Sequence, residues 1–253
     1  ALRRALREAE QADEDAAERE RNRVQRELRE AYREALDRLR ALVEPTSSLL
    51  DRPLSRRERS EARRVSGEHE SIADALRALP QEYPAVSEAP VLEFAHRRLD
   101  TLLDGIAGAL RGSPIAGAVA MRQGQTIALL ETLLEALDPN NSSDDFESGG
   151  SGGGGSGGAP GEDNPVPPLA ELLILRGMQS QLAEATRTAG DAGDGASLDA
   201  LADWQRELGE QARELLERAR EDAGGGPPSG PGQIKPLGEP EASDGGTTSV
   251  EGA

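Results

Sequence analysis

Cysteine is absent from the 253-residue chain, which excludes disulfides, thiolate zinc sites and cysteine nucleophiles together and leaves the redox compartment open. Aromatic residues are almost as scarce: two Phe, two Tyr and one Trp. Aromatic side chains supply much of the buried area of compact cores. Their scarcity beside 30% charged residues argues against a large globular enzyme and for slender helices. Lys235 is the only lysine, so nearly every cation is an arginine, a bias that a GC-rich genome accounts for better than selected guanidinium contacts do. The formal charge of −18 opposes nucleic acid and anionic lipid over most of the surface, since both are polyanions. No apolar run approaches the roughly 18 residues that a membrane span needs. β-Branched residues never alternate with period two, which removes sheet.

Ala, Leu, Glu and Arg are abundant, and all four form helices readily. Residues 1–44 read as one long charged helix without Gly or Pro, ended by Pro45. Its second half carries a face of Val24, Leu28, Tyr32, Ala35, Leu36, Leu39, Leu42 and Val43. The first half offers little but alanines and is therefore solvated or dependent on a partner. Residues 55–137 read as a three-helix region. Ser55 with Glu58 forms a capping box that opens its first helix, whose seam is Ala62, Val65, His69, Ile72, Leu76 and Leu79, with Gly67 as a weak point. PQEYPAVSEAP then turns the chain. Pro90 starts the next helix (Val91, Phe94, Ala95, Leu99, Leu102, Leu103, Ile106, Leu110), and Ser113-Pro114 opens its partner (Ile115, Val119, Thr126, Leu129, Leu130, Leu133, Leu137). So short a connection makes the two an antiparallel αα-hairpin.

Residues 138–167 are a Gly, Ser and Pro-rich linker, expected to be disordered, with an r.m.s. reach of roughly 28 Å as a flexible coil. A second αα-hairpin follows over 168–223, its last helix capped by Ser197. The tail, 224–253, is too polar and too rich in Gly and Pro to fold. The fold class is thus all-α: long helices and coiled-coil-like hairpins with a disordered linker and tail.

Catalytic signals are weak. The glycine tract lacks the terminal Lys-Ser/Thr and the preceding strand of a phosphate loop, and no nucleophile elbow or HExxH helix is present. Arg56, Arg57, Arg59, Arg63 and Arg64 are interrupted by Glu58 and Glu61 and lack interleaved aromatics, as on a solvated face. His69 lies on an apolar seam, where a hydrogen-bonded core histidine is the commoner case. His96 has no second histidine at ligand spacing, and Asp100 and Asp104 share a helix face without apolar enclosure. No metal, cofactor, small-molecule substrate or nucleic acid is expected.

The last hairpin holds the expected interaction residues: Leu172, Leu175, Gln179 and Leu182 on one helix, and Leu201, Trp204, Gln205 and Leu208 on the other. Polar residues in an apolar seam select register and partner, so Gln179 and Gln205 are expected either to exchange hydrogen bonds or to lie at the hairpin's edge in water. Two isolated helices bury too little to stand alone, so these leucines must dock on the preceding hairpin or on another chain.

The stretch HESIADALRALPQEYPAVSEAPVLEFAHRRLDTLLDGIAGAL, then QTIALLETLLEAL, the glycine spacer, VPPLAELLILRGMQSQL and ALADWQRELGEQARELL resemble, in that order, an uncharacterised family of exported coiled-coil proteins of planctomycete-type bacteria. The resemblance covers about residues 66–220 and departs from the family at SPIAGAVAMRQGQT. It implies an exported, periplasmic or envelope-associated helical protein and no reaction. A first residue of Ala rather than Met accords with a removed signal or anchor. The expected function is non-enzymatic: self-association or binding of a helical protein partner, with an adaptor or regulatory subunit of a membrane-linked complex as the first alternative and an enzyme, for which the sequence shows no catalytic constellation, as the second.

Overall fold

The structure, a computed structural model, describes residues 2–112, 114–138, 166–193 and 195–222. Residues 139–165 of the expected linker, the expected tail, Ser113 and the Ser197 side chain lie outside what is described, while both ends of the linker are ordered, Asp138 pairing with Arg29 at 2.8 Å and Val166 being buried. Ser197, expected to cap the last helix, falls inside α8, which begins at Gly195. The described residues form eight helical segments and no strand: α1 (Leu2–Ala41), α2 (Val43–Ser47), α3 (Arg56–Glu82), α4 (Ala85–Glu88), α5 (Pro90–Leu110), α6 (Ala118–Ala136), α7 (Pro168–Ala192) and α8 (Gly195–Asp222).

α1, α3, α5 and α6 close a ring of neighbours, α1 against α3 and α6, and α5 against both α3 and α6. The expected seams face inward. Every apolar residue named above for α3, α5 and the Ile115–Leu137 stretch is buried, as are Val24 to Leu42 of the α1 face. These residues share one continuous core with Leu175, Leu182, Trp204 and Leu215, so the long first helix and both hairpins belong to one packed unit. Two polar groupings tie α1 into it. The Tyr32 hydroxyl meets His96 Nε2 at 2.6 Å, and Gln123 Nε2 lies 3.5 Å from both the Leu39 carbonyl and His69 Nε2.

Prolines set the breaks with one exception. Pro45 has no N–H for the Ala41 carbonyl, so α1 ends there and α2 begins after Leu42. Val43, expected on the buried face, falls beyond that break and is 43% exposed. Pro80, by contrast, does not end α3, which runs on to Glu82. The carbonyl that Pro80 leaves without a helical donor belongs to Leu76, and it faces the imidazole of His96 closely enough to favour an N–H there.

α6 starts later than the Ser113-Pro114 signal suggests. Ile115 instead pairs with Leu50 in a parallel bridge. The Asp51 N–H donates to the Ile115 carbonyl at 2.9 Å, and the Gly117 N–H donates to Asp51 Oδ1 at 2.9 Å. These bonds hold residues 115–117 out of the helix. Asp51 adopts a left-handed conformation with φ 54° to make them. The capping box forms as read: Ser55 N–H to Glu58 Oε2 at 2.7 Å and Glu58 N–H to Ser55 Oγ at 3.3 Å. The Ser55 contacts, aided by Arg52, hold the Glu58 carboxyl at about 2.

Candidate functional site

The α7–α8 hairpin docks in cis. α7 packs on α6 and α5, and α8 packs on α7 and α5. Gly177 makes the α6–α7 approach possible, because a Cβ there would lie 2.8 Å from Thr132 Oγ1 and inside contact distance of its methyl. Gln181 Nε2 donates to the same Thr132 hydroxyl at 3.2 Å.

The buried stripe of α7 is Glu171, Leu175, Met178, Leu182, Ala185 and Ala189, with Ile174 beside it. Its steps of four and three are those of a coiled-coil seam. The expected stripe is therefore right at Leu175 and Leu182 and wrong at two positions. Leu172 is 51% exposed, and Gln179 also faces solvent. The reason is Glu171, which takes the seam position next to Leu172 and is 1% exposed. Its Oε2 accepts the Val91 N–H at 3.0 Å, and Arg218 donates Nη1 to Oε1 at 3.2 Å and Nη2 to Oε2 at 3.1 Å. The residue preceding α5, Ala89, has no capping side chain. A carboxylate from α7 thus caps α5 at its positive end while Arg218 neutralises it. Glu171 was missed as a site residue. The signal was there in a helix opened by Pro90 with alanine before it and a lone acid inside an apolar run.

On α8, Trp204 and Leu208 are buried and Leu201 is partly buried, as the pattern requires. Gln205 faces solvent, where Gln179 Nε2 reaches its Oε1 at 3.4 Å. The two glutamines do meet, but as a long hydrogen bond at an exposed edge, too weak to dictate register. Trp204 turns inward beneath α5, with the Arg98 guanidinium over its ring at 4.1 Å.

His96 also lines a cavity of about 230 Å³ between α3 and α5, rimmed by Arg77, Arg97 and Asp100. Burial pushes this imidazole down to about 4, so it is neutral at pH 7. Its Nε2 is engaged by Tyr32 and the Leu76 carbonyl draws its N–H, which occupies the ring. Asp100 and Asp104 both take Arg77, Asp104 at 2.7 Å, in an exposed cluster that joins α3 to α5. His69, also lowered by burial, has its Nδ1 2.9 Å from the Val65 carbonyl. It is a hydrogen-bonded core residue. The five arginines at the start of α3 are all exposed, with Arg64 on Glu61 and Arg59 Nη1 on the Leu54 carbonyl. Among the described residues no group of His, Asp and Glu could hold a metal, and no helix is long and apolar enough to cross a membrane.

Searches against family models, curated proteins and solved structures return no match, so geometry alone bears on function.

Proposed function

We propose that the protein is a non-enzymatic helical interaction protein of the cell envelope that self-associates through the N-terminal half of α1. The core begins only at Val24, so more than half of a 40-residue helix extends past the last packed residue, and Leu6 on it is 61% exposed. This overhang carries the proposal. The apolar faces of α7 and α8, which the sequence offers as partner surfaces, are already covered by α5 and α6.

The occupant is a second copy, and charge argues for it. Residues 2–7 carry Arg3, Arg4 and Arg7 and no acid, whereas residues 8–18 carry Glu8, Glu10, Asp13, Glu14, Asp15 and Glu18 and no base. Two such helices laid antiparallel place the basic tip of each on the acidic block of the other. In the register that sets Leu6 against Ala12, Arg4 falls opposite Glu14. The envelope location rests on the family resemblance, and detection of the native protein in the cytosolic fraction alone would remove it.

Size-exclusion chromatography with light scattering on the full chain and on a chain lacking residues 1–22 tests the self-association. A dimer that becomes a monomer on truncation, and that weakens as salt rises, is the expected result. The same number of copies for the two chains would overturn it, and a strict monomer would favour the adaptor reading with a heterologous partner.

A further inference from the structure

A groove of about 510 Å³ runs between α5 and α8. Phe94, Arg97, Arg98 and Thr101 line it from α5, and Glu207, Glu210 and Gln211 line it from α8; Arg97 pairs with Glu93 at 3.0 Å at the rim. Of the six buried side-chain polar atoms without a hydrogen-bond partner among the described residues, three cluster here: Arg98 Nε, Trp204 Nε1 and Gln211 Oε1. Arg98 is the telling one. Its guanidinium is half-buried and lies on the Trp204 face, yet among the described residues no carboxylate stands within ion-pair distance of it. Arg218, the other half-buried arginine of this region, has Glu171 in bidentate contact. A buried Arg98 Nε–H without an acceptor is costly, and a cation–π contact offsets only part of that cost.

The groove is also dipolar. Glu207 is near enough to favour the Arg98 charge without bonding it, and Glu210 stands one turn further along the same wall. A simple anion would meet these carboxylates and a simple cation would meet Arg98, so the complement is a molecule with both charges a few ångströms apart. We propose that the α5–α8 groove binds a small zwitterion of the amino-acid type, its carboxylate on Arg98 and its ammonium on Glu207, Glu210 and the Gln211 side-chain oxygen. The proposal is independent of self-association through α1, which contributes no residue to this groove.

Trp204 is the chain's only tryptophan, so its fluorescence reports directly on the Arg98 contact. Titration of the full chain with L-leucine is expected to give a saturable change. N-acetyl-leucine and leucinamide, each lacking one charge, should bind about tenfold or more weakly. Arg98→Gln should abolish the response. Glu207→Gln, at an exposed position that folding does not require, should weaken leucine while leaving helicity by circular dichroism unchanged. No saturable change with leucine, equal binding of the N-acetyl compound, or an unaltered affinity in Glu207→Gln would each overturn the assignment.

Discussion

His96 is neutral inside the core because burial holds it at about 4 against an ordinary 6.5. A folded-state value below the unfolded one stabilises the fold above pH 6.5, and that contribution is lost as pH falls from 6.5 towards 4, where the unfolded chain takes up the proton first. The loss amounts to about 3 kcal/mol for His96, and His69 adds to it in the same direction. Urea midpoints measured from pH 7.5 to pH 4 should fall across this window, and His96→Gln should flatten the slope. Glycines divide just as sharply. Gly67 has open space around its missing Cβ, so Gly67→Ala should stabilise α3 by about 0.5–1 kcal/mol. Gly177→Ala drives a methyl into Thr132 and should cost about 1–3 kcal/mol, partly restored by Thr132→Ala. Opposite shifts in thermal midpoint check both. Propensity alone treats glycine as helix-weakening at either position; only the α6–α7 contact tells the two apart.

At the scale of the element, Glu171 links three helices. Glu171→Ala would leave the Val91 N–H and Arg218 without their acceptor and should cost about 3–5 kcal/mol, the penalty of breaking a buried pair from one side. Glu171→Gln with Arg218→Met removes both charges and should recover much of that loss. A coupling near zero in the denaturant-unfolding cycle would show that the two do not act together. Most of the helices were legible in the sequence because their seam residues repeat at three and four, as Val65, His69, Ile72, Leu76 and Leu79 do in α3. The α7 stripe slipped by one position because an apolar pattern cannot place a carboxylate in a seam, and the partners that make Glu171 tolerable there, Val91 and Arg218, are 80 and 47 residues distant. The start of α6 was misplaced for a similar reason, since the bonds from Asp51 to Ile115 and Gly117 are invisible to local propensity.

For the whole molecule, one continuous core from Val24 to Leu215 implies one cooperative unfolding event. Trp204 fluorescence and far-UV circular dichroism should give the same urea midpoint; a separate, earlier fluorescence transition would mean that the second hairpin is an independent unit. At concentrations where the chain is monomeric, amide exchange should be fast over residues 2–22 and slow from Leu28 onward in α1, because only the latter half is packed within one chain, and self-association should slow the former.

Composition and periodicity by themselves determined that the chain is helical, which faces are apolar and where a capping box forms, since each depends on residues within one or two turns of one another. Tertiary structure alone decided that the last hairpin is covered by α5 and α6, that Glu171 caps a helix from another element and that Arg98 stands in a groove with no carboxylate partner among the described residues. Those outcomes are set by contacts between residues dozens of positions apart, and no local pattern encodes which of several available surfaces an apolar stripe will meet.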